Sequence, residues 1–365
     1  MILSIVATII LQEISGRIGI ISGSDLSTLL RNQTGNPVFR VFSMILVLLA
    51  IVLGNAAYES GNITGANLGL EFYWQAPTLP LIGLELQLGN FLLGIAAFIL
   101  LWTGSYKTLE RILVALVILM SVAFSITAIL TKPNLTELLV GFIPSWDTEE
   151  IPTLVALIGT TVVPYNLFLY ASLVNNRWKK ESDLPLMRRD IVVSVVLGGI
   201  VSMAILIVGA ANTSTEIKTA IDVSRGLETV FGPFAGYMMG FGLLAAGLTS
   251  SLTAPLAAGF VVCGIMAWDQ DIKSKPMRIT MGAIVFLGVL FSSFGIKPVQ
   301  LITLAQLANG ILLPVISGWI IWIALQNAVL GKFKNTPLRT AIAGFIWLIT
   351  LVLGLKSIGT VFGWF

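Results

Sequence analysis

The chain is organised as long apolar runs separated by short polar stretches. A bilayer core about 30 Å thick takes roughly 20 apolar residues per helix. Ten runs reach that length, near residues 1–22, 38–57, 79–102, 109–131, 151–175, 190–211, 229–267, 277–296, 299–326 and 338–360. The seventh is long enough to overshoot the bilayer or tilt strongly. The runs are continuous and contain few turn residues, so they predict helices and not the period-two strands of a membrane barrel. The predicted fold class is an all-α polytopic membrane protein of about ten transmembrane helices.

Composition agrees and narrows the function. Hydrophobic residues make up 56% of the 365 and charged residues 11%, against about a quarter charged in soluble domains. Too few charges remain to coat a soluble enzyme, and the apolar content excludes a disordered chain. The lone cysteine, Cys263, has no partner within the chain for a disulfide. Histidine is absent, which removes the commonest general base and transition-metal ligand. A net charge of +3 signals topology here rather than nucleic acid. Of the 21 Lys and Arg, sixteen cluster at alternate loops, around Arg17–Arg40, Lys107–Arg111, Arg177–Arg189, Lys273–Arg278 and Lys332–Arg339. Five lie on the other side: Lys132, Lys218, Arg225, Lys297 and Lys356. The positive-inside rule puts the first set in the cytoplasm and both chain ends outside. Met1–Ile10 lacks the basic region and cleavage site of a signal peptide. Ten helices with an external start read as an eleven-helix protein without its first helix.

Ionisable and amide residues inside apolar helices mark functional candidates. Glu13 and Arg17 are four apart on one face and predict an ion pair near the cytoplasmic end. Asn55, Glu59 and Asn62 form a stripe in the second segment, either lining a pathway or making an interhelical hydrogen-bond seam. Glu85 is expected at the interface. In the fifth segment, GTTVVPYNLFLY, Pro164 is expected mid-helix, where it leaves the Thr160 carbonyl without an N–H. Thr160, Thr161, Tyr165 and Asn166 flank it. The alternatives are a cation-coordinating break and a plain kink. Gln306 and Asn309 in the ninth segment either bond a neighbouring helix or offer oxygen to a cation. The small, hydroxyl-rich seventh segment reads as a close-packing face first and a pathway second. The Asn134-Leu135-Thr136 sequon and the glycine spacings are weak signals.

In wording and order these segments resemble the natural resistance-associated macrophage protein (Nramp) family of divalent metal transporters. QEISGRIGIISGSDL at 12–26 is similar to that family's second helix, Q-x-x-x-A-R-L-G-V-V-T-G-x-D-L. GTTVVPYNLFLYASLV at 159–174 is similar to the sixth, G-A-T-V-M-P-H-N-L-Y-L-H-S-S. GLLAAGLTSSLTAPLAAGFV at 242–261 is similar to the eighth, G-L-L-A-A-G-Q-S-S-T-x-T-G-T-Y-A-G-Q-F-V, and LAQLANGILLP at 304–314 to the tenth. The resemblance runs from the family's second helix to its eleventh.

It implies an inverted-repeat transporter of the amino acid–polyamine–organocation superfamily type. Residues 1–131 are then the remainder of the first repeat, 151–326 the second, and 338–365 an extra C-terminal helix. It further implies alternating-access uptake of divalent metal driven by protons, with metal as substrate, no cofactor, and the bilayer and protons as partners. The metal ligands it implies are the Thr160 carbonyl and Gln306, with Val163 at the position of a methionine ligand. Tyr165 and Tyr170 stand where the family has histidines. Glu59 matches a proton-pathway glutamate, while Ala56 replaces its aspartate. The family's Asp-Pro-Gly-Asn of helix one has no counterpart. With soft donors gone, an oxygen site suits Mg²⁺ or Mn²⁺, as in a family branch that lacks the methionine and moves magnesium. Asn55, Asn62, Asn166 and Arg17 join Glu59 and Tyr165 as candidates for pathway or coupling. The competing readings are an incomplete, non-transporting chain of the same fold and a passive cation channel. An intramembrane enzyme fares worst, because no histidine is present and the carboxylates are dispersed.

Overall fold

The structure is a computed structural model. It describes all residues but 33–35, 82–83, 105–106, 142–160, 212–223, 294–297 and 362–365. It also leaves out the side chains of 81, 84–85, 107–110, 112–113, 135, 176, 211, 229, 298–311, 353 and 356–361. Among the described residues ten principal helices correspond to the ten apolar runs. They are α1 (Ile2–Ser22), α2 (Pro37–Leu70), α3 (Leu88–Thr103), α4 (Lys107–Leu130), α5 (Pro164–Arg177), α6 (Leu184–Ala211), α7 (Ala235–Ile265), α8 (Lys275–Ser292), α9 (Pro298–Leu325) and α10 (Pro337–Val361). Among the described residues α1, α2, α6, α7 and α8 are long and apolar enough to cross a membrane. Leu312–Leu325 and Asn327–Phe333, bent by 68°, pass the same test only together, as a broken span or a re-entrant loop. The chain is a multi-pass integral membrane protein.

Helix ends follow local chemistry. Gly23 closes α1 at φ 62°, a left-handed conformation that a Cβ disfavours. The Asn36 side chain accepts from Val38 N and places Pro37 in the first turn of α2, where its missing N–H costs nothing. Ser274 caps α8 in the same way, accepting from Met277 N.

Three boundaries differ from expectation. The run at 79–102 begins as an antiparallel hairpin, Thr78–Leu81 with Leu84–Gln87, and turns helical only at Leu88. Pro77 and Pro80 deny this stretch helical N–H groups, and its leucines alternate with polar residues as a strand requires. Helix α2 continues to Leu70, well past residue 57. Its second half is rich in small and polar residues that an apolarity criterion passes over, and Ala56, Ala57, Ser60, Thr64 and Ala66 are all buried. The long seventh run is interrupted by a 3₁₀ turn at Gly232–Phe234, so α7 starts only at Ala235.

Helices α2 and α7 form the centre. α7 packs on α2, α4, α5 and α8, and α2 packs on α3, α8 and α9. α1 lies against α5, α6 and α9, while α10 rests on α9. The α2–α7 approach is close. A Cβ at Gly247 would meet the Ala66 backbone nitrogen at 2.5 Å, so small residues here let two backbones touch. Large apolar side chains cover the outside, among them Val38, Phe42, Ile279, Phe286 and Phe345.

Candidate metal pathway at the broken helix

Helix α5 opens at Pro164, with Val163 extended at φ −95° and ψ 126°. Thr161 is helical, whereas Val162 and Val163 are not. The proline therefore starts a helix rather than sitting in the middle of one, which corrects the mid-helix expectation. A proline fits the first helical position because its fixed φ suits a helix and no N–H is needed there. The Asn166 N–H returns to the Val163 carbonyl at 3.1 Å. Val162, Val163, Pro164 and Tyr165 are buried, and Asn166 is half-buried. The break is thus enclosed by protein, the condition under which irregular backbone is tolerated inside a membrane. The Ser15 hydroxyl of α1 donates to the Leu167 carbonyl and fixes the start of α5 against α1.

Thr160 lies outside the described residues, as does the Gln306 side chain, although the α9 backbone carrying Gln306 is described.

The stripe on α2 faces inward. Glu59 has no exposed surface. Its Oε2 faces Asn62 Nδ2 at 3.5 Å, a marginal contact, and its Oε1 has no hydrogen-bond partner among the described residues. Tyr165 lies within electrostatic reach of the Glu59 carboxyl. Tyr58 meets the Tyr165 ring edge-on, with centroids 5.7 Å apart. Asn62 thus meets Glu59, and Tyr58, the residue before Glu59, links the helix of the stripe to Tyr165 at the helix break. Asn55 plays another part: its amide donates to the Ala254 carbonyl of α7 at 2.8 Å, forming an interhelical seam. A Cβ at Gly288 of α8 would stand 2.5 Å from Glu59 Cγ. Gly288→Ala should push Glu59 aside and cost about 1–3 kcal/mol through overpacking. A thermal melt of the purified variant, unchanged from the parent, would show that α8 does not close on Glu59.

Arg17 sits in a different network. It is fully buried, pairs with Glu13 at 3.2 Å as expected, and donates to the Asn335 side chain at 2.6 Å and to the Phe333 carbonyl. Arg188 of α6 holds the other Glu13 oxygen at 2.9 Å. These bonds clamp α1 to α6 and to the segment joining α9 and α10. Arg17 is not among the partners of Glu59.

Two residues outside the sequence-derived set stand out: Gly288, against Glu59, and Asp25. Asp25 is buried and caps the short helix Leu26–Arg31. It lines a cavity of about 550 Å³ with Ser172, Asn175, Asp269, Asp271 and Lys273. Lys273 belongs to the basic loops, so this cavity opens on the side assigned to the cytoplasm. The SGSDL wording held the signal for Asp25. Nothing in the local sequence marked Gly288. Among the described residues no group of three or more His, Cys, Asp or Glu could hold a metal ion.

The natural resistance-associated macrophage protein-like (Nramp) family model matches residues 1–360. The chain belongs to the Nramp family. A Ralstonia nicotianae protein named divalent metal cation transporter MntH is 27% identical to this Nramp chain, with 98% of the chain and 81% of the relative aligned. A Latilactobacillus sakei protein of the same name is 26% identical, over 96% of the chain and 78% of the relative. Among solved structures, a crystal structure of a mutant Eremococcus coleocola manganese transporter superposes with a TM-score of 0.75 at 20% identity. That match covers 99% of this chain and 80% of the other. A structure of the same transporter with an aromatic bis-isothiourea compound gives 0.75 at 19% identity, over 98% and 79%. This Nramp chain thus has the inverted-repeat transporter fold.

Proposed function

We propose that this Nramp chain carries divalent metal cations across the bilayer as a secondary transporter working by alternating access. The observation that carries this reading is the buried backbone break at Val162–Val163, ahead of Pro164, in a chain whose relatives bear the name divalent metal cation transporter. In this reading the metal is substrate, not a resident cofactor. Residues 1–131 belong to the first repeat, 151–326 make the second, and 338–365 carry an added helix. The apolar outer surface is the lipid-facing one.

The donor set favours a hard ion. Val163 offers no side-chain ligand, and Tyr165 and Tyr170 offer hydroxyl oxygen instead of imidazole. With the Thr160 carbonyl and the Gln306 amide as ligands, the site is made of neutral oxygens. Such a site suits Mg²⁺ or Mn²⁺ over softer ions. Tyr165, Asn166 and Asn62 line the approach, and Glu59 is the group for proton coupling, which makes the transport a symport.

Metal flux into proteoliposomes tests the reading. Uptake of Mn²⁺ or Mg²⁺ should saturate with concentration, and Gln306→Ala, which removes the amide oxygen, should lower it by about tenfold or more, the cost of one lost ligand being about 1.4 kcal/mol or greater. Flux untouched by this substitution would exclude Gln306 as a ligand. Unsaturable flux that follows voltage passively would make the chain a channel.

A further inference from the structure

One stripe of α8 changes character along its length. Lys275, Arg278, Ile279, Gly282 and Phe286 recur every three or four residues, so they share a helix face. The stripe is basic where α8 begins and apolar beyond. Lys275, Ile279 and Phe286 are exposed. On α3, Phe98 and Trp102 are exposed as well, with ring centroids 5.4 Å apart. The two helices meet along these residues. A Cβ at Gly282 would stand 2.8 Å from the Phe98 ring, and the Arg278 guanidinium lies over the Trp102 ring, 4.9 Å from its centroid. Trp102 is in the last turn of α3, which Gly104 closes at φ 57°. Arg278 is the fourth residue of α8. Both therefore lie where a span ends, at headgroup level, and the basic loop before α8 puts that end on the side assigned to the cytoplasm. Among the described residues no carboxylate pairs with Lys275 or Arg278, and Arg278 Nε is buried without a hydrogen-bond partner. The acids of the adjoining loop are engaged within it. Asp269 Oδ1 accepts from Asp271 N at 2.9 Å, and Asp271 Oδ1 from Lys273 N at 2.7 Å. Lys273 lines the cavity of Asp25, Asp269 and Asp271, which leaves Lys275 and Arg278 as the cations of this face.

We infer that Lys275, Arg278 and Trp102 form a headgroup site for an anionic phospholipid of the cytoplasmic leaflet, whose acyl chains lie along Phe98, Ile279 and Phe286. Charge decides the class of ligand. Two cations three residues apart on one helix face, with no carboxylate between them, suit a phosphate diester. The indole holds the guanidinium by cation–π attraction, and the fork of a guanidinium matches two phosphate oxygens. Continuity decides between a lipid and a free anion. A soluble phosphate would use only the basic end of the stripe, whereas a lipid uses the basic end and the apolar face that continues from it. Basic residues and tryptophan are common at membrane interfaces, but here they come from two helices and touch, so the site spans α3 and α8. A lipid seated there bridges these helices across the contact of Phe98 with Gly282, and makes that contact depend on the anionic content of the leaflet. Basic residues near an anionic leaflet each add to such attraction. The inference does not rest on what the chain transports.

The test is thermal unfolding of the purified full chain in detergent, at fixed pH and ionic strength, with phosphatidylglycerol titrated into the micelles. Phosphatidylcholine of the same acyl chains is the zwitterionic control, and inorganic phosphate the soluble one. The melting temperature should rise saturably with phosphatidylglycerol and far less with either control. Lys275→Gln and Arg278→Gln should each raise the half-maximal phosphatidylglycerol fraction about fivefold, the effect of one basic residue near an anionic surface. Trp102→Leu keeps an apolar side chain and loses the cation–π contact, so it should shift the titration in the same direction. Lys334→Gln, an exposed basic residue of another cytoplasmic loop, should leave the titration unchanged. Equal responses to the two lipids would overturn the site. So would a shift in Lys334→Gln as large as that in Lys275→Gln, which would mean diffuse attraction, or a rise with inorganic phosphate matching that with phosphatidylglycerol, which would mean a soluble-anion site. If Arg278→Gln does not fold, Lys275→Gln decides alone, because Lys275 is exposed. No divalent metal is present in this experiment, so its failure and the failure of the transport reading are separately visible.

Discussion

Replacing Arg17 with alanine should destabilise the protein by about 3–5 kcal/mol, the range for removing one partner from a buried ionic network. The side chain is fully buried and spans two directions at once. It meets Glu13 at 3.2 Å on its own helix and reaches Asn335 and the Phe333 carbonyl beyond α9. Hydrogen bonds to a charged donor contribute about 1.5–3 kcal/mol each, and alanine loses both of these. Glu13 keeps Arg188 at 2.9 Å, so the main loss is the tie to the α9–α10 segment. Asn335 is also held there through its N–H to the Ala324 carbonyl at 2.8 Å. Arg17→Lys should be intermediate, because one ammonium cannot reproduce a planar fork directed at several oxygens. Melting of the detergent-solubilised variants, followed by size-exclusion chromatography, reads the effect. A variant Arg17→Ala that melts with the parent but carries no metal would show that Arg17 acts in coupling. One that melts early, with flux intact in the surviving fraction, identifies a clamp.

The Glu13–Arg17 pair was legible because both ends lie on one helix, four residues apart. The partners at Phe333 and Asn335 were not, since no local rule joins residues more than 300 positions apart. The same contrast holds elsewhere. Apolar run length located the ten principal helices among the described residues, because membrane insertion is itself read from apolarity. It failed where small polar residues are buried against another helix, as in the second half of α2. It failed again where apolar leucines alternate, as in the hairpin before α3. The Asn55–Glu59–Asn62 stripe was visible from its spacing, but its division of labour was not. Asn55 joins helices through Ala254, whereas Asn62 faces the Glu59 carboxyl. Pro164 was visible as a breaker. That it begins a helix, with Val163 extended ahead of it, depends on burial around the break, which a sequence does not display. The importance of Gly288 depends wholly on which residue lies opposite, here Glu59.

Glu59→Gln should abolish proton movement while leaving the fold intact or firmer. Glutamine keeps the shape of the side chain and its amide oxygen can still accept from Asn62, but it carries neither charge nor transferable proton. The parent bears the cost of a carboxyl with no exposed surface and, among the described residues, no hydrogen-bond partner for Oε1, and a neutral isostere removes the charged part of that cost. Buried ionisable groups that lower stability are kept where function needs them, and the two effects should separate in one variant. In proteoliposomes loaded with a pH-sensitive dye, metal entry through the parent should acidify the lumen. The Glu59→Gln rate should be lower by about tenfold or more, the scale expected for losing a functional intramembrane acid. Its melting temperature should equal or exceed that of the parent. Acidification that persists in Glu59→Gln would take this residue out of the proton route. A large drop in melting temperature would show that the carboxylate already has a compensating partner, so that Glu59 stabilises the fold rather than straining it. Metal uptake that continues without acidification would be the most informative result. It would place substrate binding at the helix break and coupling at Glu59, two separable steps joined through Tyr165.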